Sequence, residues 1–213
     1  AAVLGGQWAW NHDPDDSHWS LTARPGHLRL SARHLNTQGG VSQFGRTKVT
    51  YREDHLLFAY NTVVQRLYGA ESDIATKLDT KNLIDGQRAG LCTMIDDYTW
   101  IGVAKEGGSK RVCFAKGTAT SGPGGMISGP ELQQDAIWLK LEHRHYKGTM
   151  LYSLDGKHYE PLGDRDYAYR TAWYEGTKVG LFTYSLSSEA EGGHADFDFF
   201  RQHHDGPVTQ RTK

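Results

Sequence analysis

The chain has 213 residues, 38% of them hydrophobic, which is enough for one sizeable core and argues for a single domain. Its 25 glycines and 11% aromatic content, beside only 3 methionines and 6 prolines, describe short aromatic strands between many turns rather than a helical bundle. A formal net charge of −1 leaves no broad basic surface, and no apolar stretch approaches the roughly 20 residues that cross a bilayer, which argues against nucleic-acid and membrane partners.

In chain order, residues 7–11, 28–32, 47–52 and 56–61 read as strands, with Gly39-Gly40 marking a loop. Residues 88–95, 99–104 and 111–114 are short apolar runs punctuated by Asp96-Asp97 and Gly107-Gly108. If both are two-residue turns, Cys92 lies opposite Ile101 and Cys113 opposite Gly102, on different faces, which argues against a disulfide between them. Ile137, Leu139 and Leu141 alternate with Trp138, Lys140 and Glu142, the period of a half-buried strand. Lys147-Gly148 reverses the chain, Met150, Tyr152 and Leu154 carry the alternation back, and Asp155-Gly156 supplies the next tight turn. Residues 178–184 and 194–201 read as two more strands around a polar loop at 187–193. No window keeps helical spacing with a capping signal. So many short strands in one domain solve their edge problem by stacking, and a sandwich of two antiparallel sheets is expected. The domain is placed at 1–205, with a tail at 206–213. The first residues lack the basic start and apolar middle of a secretion signal, and either a secreted or a cytoplasmic location fits the composition.

Several clusters invite a chemical reading, each beside a plainer one. Trp8 and Trp10 share a strand face and could stack on a sugar ring, although buried tryptophans more often fill a core. Asp13, Asp15 and Asp16 lack the glycine and glutamate of an EF-hand loop and read better as a solvated turn. Asp196 and Asp198 share a strand face at roughly 7 Å, within the range of paired carboxylates in glycoside hydrolysis. Ala195, Phe197 and Phe199 fit the inner face of that strand, and an outer polar face explains the aspartates equally well. His143 with His145 and His203 with His204 lack the third ligand zinc requires. Neither a phosphate-binding glycine loop nor a serine nucleophile elbow is present. Asn61, Gln65 and Arg66 supply directional donors and acceptors suited to sugar hydroxyls, or else tie a loop to the opposite sheet.

Across nearly its whole length the chain resembles one family. WAWNHDPD (8–15) and WSLTARPGHLRL (19–30) resemble the opening of the C-terminal β-sandwich of glycoside hydrolase family 43 β-xylosidases, a domain also classed as the family 91 carbohydrate-binding module. NTVVQR (61–66), ATKLD (75–79), DGQRAGL (85–91), WIGV (100–103), YSLDG (152–156), GLF (180–182) and ADFDFF (195–200) follow in the same order.

The resemblance implies an all-β, concanavalin A-like jelly-roll β-sandwich. In the full enzymes such a domain packs against a five-bladed propeller that carries the catalytic carboxylates, and nothing in this chain resembles that propeller. A sandwich loop there closes one side of the xylose pocket, often with an aromatic side chain. WYEGTKV (173–179) matches that loop, but Val179 stands where the aromatic is expected, which moves attention to Trp173 and Tyr174. Jelly rolls of this kind often bind a structural calcium ion through the aspartate of their last strand, here Asp198. The resulting expectation is a non-catalytic module that binds xylan or xylo-oligosaccharide through Trp10, Asn61, Gln65, Arg66, Trp173 and Tyr174. The alternatives are a docking domain that completes the active site of a family 43 propeller, and a glycan hydrolase in its own right.

Overall fold

The alternation that runs from Ile137 to Leu141 forms a strand because one face of it meets a closed apolar layer, and that layer organises the molecule. The computed structural model describes residues 3–35, 40–41, 48–49, 54–118, 122–145, 147–164, 167–168, 171–172, 175–190 and 192–206. In chain order the strands are β1 (Ala9–Trp10), β2 (Trp19–Ser20), β3 (Leu28–Ser31), β4 (Gly40–Val41), β5 (Lys48–Val49), β6 (Val63–Arg66) and β7 (Glu71–Asp79). Next come β8 (Gln87–Met94), β9 (Asp97–Glu106), β10 (Ser109–Thr118), β11 (Gly122–Pro123), β12 (Ile127–Glu131), β13 (Ala136–Arg144) and β14 (Lys147–Ser153). The chain closes with β15 (Glu160–Pro161), β16 (Tyr167–Ala168), β17 (Thr171–Ala172), β18 (Glu175–Gly176), β19 (Lys178–Ser185) and β20 (His194–His204).

Two large antiparallel sheets result, with β4-β5 and β17-β18 as separate two-stranded pairs. The first runs β1-β6-β19-β8-β9-β10-β11 with β12 also on β10, and the second runs β15-β14-β13-β7-β20-β3-β2 with β16 also on β14. This is the concanavalin A-like sandwich. Between the sheets lie Leu30, Ile74, Leu78, Leu91, Ile101, Val103, Leu139, Leu181 and Phe197, each side chain contributing about 1.5–3 kcal/mol on burial. A second apolar cluster covers the outer face of the first sheet: Leu35, Leu56 and Phe58 lie over Cys92, Trp100, Cys113, Phe182 and Tyr184. The central strands of that sheet are therefore apolar on both faces, and all of β8 is buried.

The N-terminal segment holds the two sheets together at one edge. β1 pairs with β6 in the first sheet, β2 pairs with β3 in the second, and residues 11–18 cross between them. Asp15 caps the 3-10 turn Asp16–His18 by accepting from the Ser17 amide.

Several expected elements differ. Residues 56–61 form a 3-10 turn at Leu56–Phe58 instead of a strand, because they lie across the outer face and bury Leu56, Phe58 and Ala59 against it. Of the strand expected at 47–52 only Lys48–Val49 is described, paired with Gly40–Val41. The reversal before β14 falls at His145, at φ 49°, so Lys147 and Gly148 already belong to the strand. The tail expected at 206–213 lies, beyond Gly206, outside the described residues.

The cysteine register also shifts. Met94 pairs with Tyr98 and Cys92 with Trp100, one residue from the pairing an Asp96-Asp97 turn would impose, whereas Cys113 does face Gly102. Gly102 pairs with Gly90, two residues from Cys92, so both cysteines lie on the same outer face rather than on opposite ones. They are free because β9 lies between their strands: two strand spacings are about 9.6 Å, beyond the roughly 7 Å a disulfide spans.

Candidate functional site

The residues expected to hold sugar do not meet at one place among the described residues. Asn61 is 1% exposed and holds the Asp15 peptide with both ends of its amide: Nδ2 donates to the Asp15 carbonyl at 3.0 Å, and Oδ1 accepts from the Asp15 amide at 3.3 Å. It latches the N-terminal crossing and is buried away from any ligand in solvent. Trp10 is half-buried against Trp19, with ring centroids 5.3 Å apart, and Trp8 meets Phe200 edge-on at 4.9 Å. Both tryptophans thus seal the margin of the inter-sheet core. Gln65 and Arg66 are neighbours on β6, so their side chains leave by opposite faces. Gln65 follows Val63 toward the inter-sheet side, and the exposed Arg66 follows Val64 to the outer face opposite Lys178. Trp173 and Tyr174 lie outside the described residues.

Asp196 and Asp198 also part company. A β-bulge interrupts the pairing of β20 with β7 between Phe197 and Phe200, so Phe200 instead of Phe199 turns toward the core. Asp198 is 41% exposed, 3.4 Å from the Lys77 ammonium. Among the described residues no group of three or more His, Cys, Asp or Glu side chains gathers at metal distance. One carboxylate already beside a cation is a poor fit to calcium, which takes six to eight oxygens.

Asp196, 3% exposed, belongs to a charged row on the outer side of the second sheet, where Arg29, Asp196 and Asp79 are successive cross-strand neighbours. Arg29 grips Asp196 through Nε at 2.7 Å and Nη2 at 2.9 Å, a bidentate pair. Arg24 Nη1 reaches both Asp79 at 2.6 Å and Asp196 at 3.2 Å. Burial alone would raise the Asp196 pKa, but the two guanidiniums outweigh it and hold the carboxyl below its ordinary range.

Sequence reasoning missed a second polar cluster, set into the apolar outer face of the first sheet. Arg111, Ala104, Arg88 and Tyr184 form one row across β10, β9, β8 and β19. Arg88, only 1% exposed, donates through Nη2 to Glu106 and Asp54, and Tyr184 donates its hydroxyl to Asp54. Burial opposes the charge on Arg88, yet Asp54, Tyr184 and Glu106 carry its pKa above the ordinary arginine value. Burial likewise pushes the Tyr184 hydroxyl well above its usual value. Arg88 Nε and Trp100 Nε1 are buried without partners among the described residues. A cavity of about 200 Å³ opens beside this cluster, lined by Glu106, Ser109, Arg111, Cys113 and Ser128. A lone arginine in a strand normally reads as exposed, and only the Gln-Arg pair inside an otherwise apolar run signals otherwise.

Asp15, Asp135, Asp155 and Asp196 are all held below the ordinary carboxylate range by hydrogen bonds and neighbouring cations. These four are bases with their charge already spent, and none is a proton donor poised near neutral pH.

Comparison with known proteins places this geometry. Residues 1–203 match the family described as the β-xylosidase C-terminal concanavalin A-like domain. A β-xylosidase of Formosa agariphila is 31% identical over 209 residues, covering 96% of this chain and 34% of that protein. The chain thus spans about a third of that relative's length. A solved bifunctional family 43 enzyme from Bacteroides eggerthii matches 97% of this chain and 24% of its own, with 26% identity and a TM-score of 0.74. A family 43 hydrolase engineered to display both endo-xylanase and exo-arabinofuranosidase activity matches 95% of this chain and 39% of its own, at 25% identity and a TM-score of 0.77.

Proposed function

The chain belongs to the family of β-xylosidase C-terminal concanavalin A-like domains, and from that premise we propose that it is a non-catalytic accessory domain working beside a catalytic propeller on xylan or xylo-oligosaccharides. The observation that carries this reading is the facing pair Asp79 and Asp196. Glycoside hydrolysis needs one carboxyl held protonated near neutral pH and another facing it as base or nucleophile. Asp79 and Asp196 face each other, but Arg24 and Arg29 occupy their oxygens and favour the charged form of Asp196. The test is sugar release from xylan and aryl xylosides by the purified chain. No release is expected, and release abolished by one carboxylate substitution would overturn the reading.

One observation favours docking over independent glycan capture as the means of assistance. Trp100, Phe182 and Tyr184 on the outer face of the first sheet are sealed beneath Leu35, Leu56 and Phe58 of the same chain. Those rings offer no platform to a sugar. A domain that acts by docking raises the activity or stability of a catalytic propeller on mixing, and leaves electrophoretic mobility in xylan gels unchanged. Retarded mobility without any effect on a propeller would favour independent binding.

A further inference from the structure

Residues 54–59 form a strap across the outer face of the first sheet, and a buried histidine lies at its root. The His55 ring is closed off from solvent, with Phe58 at 5.0 Å and Tyr98 at 5.1 Å, both edge-on. Its Nε2 lies 3.1 Å from the Thr118 carbonyl of β10, and a carbonyl can only accept, so that nitrogen carries a proton. Its Nδ1 accepts from the Leu57 amide at 3.3 Å and thereby caps the 3-10 turn Leu56–Phe58. An accepting nitrogen has no proton. The two bonds together are therefore made by the neutral ring, in its Nε2–H form.

Leu56, Phe58 and Ala59 of the strap are buried in the cluster that holds Trp100, Phe182 and Tyr184. Asp54 enters it at φ 58°, in the left-handed region that a residue with a Cβ disfavours. Arg88, shared with Glu106, and Tyr184 hold Asp54 there by donating to its carboxylate, and the Tyr98 hydroxyl donates to its carbonyl at 3.4 Å. From the N-terminal segment, His12 Nε2 donates to the Leu57 carbonyl at 2.6 Å. Acid leaves these donors in place. His12 still donates from Nε2 when charged, Arg88 keeps its charge, and burial keeps Tyr98 and Tyr184 as hydroxyls. His55 Nδ1 is the acceptor that a proton abolishes.

From this geometry we propose that the strap is an acid-released latch: protonation of His55 lifts residues 54–59 from the first sheet and uncovers its apolar outer face, while the two sheets stay packed. A proton on Nδ1 sets an N–H against the Leu57 N–H, removes the cap of the turn and leaves a charge between aromatic rings. Turning the ring out into water relieves both. The closed strap holds the neutral ring, so it is favoured above the value at which a released imidazole titrates, ordinarily about 6.5, and is lost as pH falls below it. The latch stands apart from the accessory reading, and neither depends on the other.

The experiment is amide hydrogen exchange of the isotope-labelled full chain at about pH 7.5 and about pH 5, on either side of the ordinary histidine value, with each rate referred to an unstructured peptide at the same pH. Protection of the Leu57, Phe58 and Ala59 amides, all bonded within the turn, is expected to fall at least tenfold relative to the amides of β8 and β9. His55→Gln, whose neutral amide can accept from Leu57 and donate to Thr118, is expected to remove this pH dependence, and His12→Gln to keep it. The imidazole nitrogen shifts of the parent are a second readout: His55 is expected to gain its proton over the pH range in which the strap opens. If His55→Gln does not fold, as its melting temperature would show, those shifts decide. Strap protection that does not change, an equal loss in β8 and β9, pH dependence that survives in His55→Gln, or a His55 ring still neutral after the strap has opened would each overturn the latch.

Discussion

Asp79 and Asp196 stand directly opposite each other on neighbouring strands, and one nitrogen of Arg24 donates to both. Two facing carboxylates repel, and this pair is tolerated because two guanidiniums lie on it.

Arg24→Ala is therefore expected to destabilise the fold by about 1–2 kcal/mol at neutral pH, with the deficit shrinking on acidification as the exposed repulsion is titrated away. In the parent the sign is the reverse. The folded-state pKa of Asp196 lies below its ordinary value of 3.8, so its contribution is present above 3.8 and is lost as pH falls through the folded value. Asp15, lowered to about 2, contributes with the same sign. Urea midpoints of parent and variant across the acid range measure both slopes.

Asn61→Ala is expected to cost about 1–3 kcal/mol, since it strands the Asp15 amide and carbonyl at the sheet-spanning crossing. It should leave mobility in xylan gels unchanged. Denaturant unfolding and affinity electrophoresis in xylan gels measure the two effects, and a retardation of the parent that Asn61→Ala removes without loss of stability would return Asn61 to the sugar-binding residues.

Gly90 and Gly102 face each other across β8 and β9. A Cβ on Gly102 would lie 2.1 Å from the Ala89 carbonyl oxygen and 2.8 Å from the Gly90 Cα, both backbone atoms that cannot swing aside. Gly102→Ala is expected to cost more than the roughly 1–3 kcal/mol of ordinary overpacking and to appear as a sharp fall in melting temperature or as insoluble protein. Gly125→Ala, with open space around it, serves as the control.

The strands were legible in sequence where one face is wet. Ile137, Leu139 and Leu141 alternate cleanly because Lys140 and Glu142 point outward to solvent and to each other. β6 gave no such signal: Val63 enters the inter-sheet core while Val64 enters the covered outer face, so the alternation vanishes although the strand exists. β7 escaped notice because half of its inward positions, Ser72 and Thr76, are hydroxyls that donate to carbonyls of β20. Asn61 misled for a related reason: an amide suited to sugar hydroxyls suits a backbone peptide equally, and spacing does not say which arrives first. Arg88 was invisible because its counter-charges, Asp54 and Glu106, lie 34 and 18 residues away.

Cys92 and Cys113 are both buried, and burial raises both thiol pKa values, so few thiolates form. Native protein is expected to react with a thiol reagent at the rate of unfolding, and mild oxidant is expected to form no intramolecular bridge. Mass-shift counting after timed labelling measures this; fast labelling of one cysteine would mean that the outer face opens independently of the core.

Chelation decides the calcium implied at Asp198. With Lys77 beside that carboxylate, EDTA is expected to leave the melting temperature unmoved, and Asp198→Asn to cost less than about 1 kcal/mol as an exposed ion pair. A chelator-dependent fall in melting temperature that Asp198→Asn abolishes would place the ion there.

The crossing of residues 11–18 from one sheet edge to the other makes the N-terminal segment a rivet rather than a loose end. Asn11 donates to the Thr62 carbonyl at 2.9 Å on one side, and Trp19 pairs with Leu30 on the other. The layers cannot slide past each other without shearing it. The bonded amides of Asn11 and Asp15 should therefore exchange with solvent as slowly as those of the edge strands they clamp.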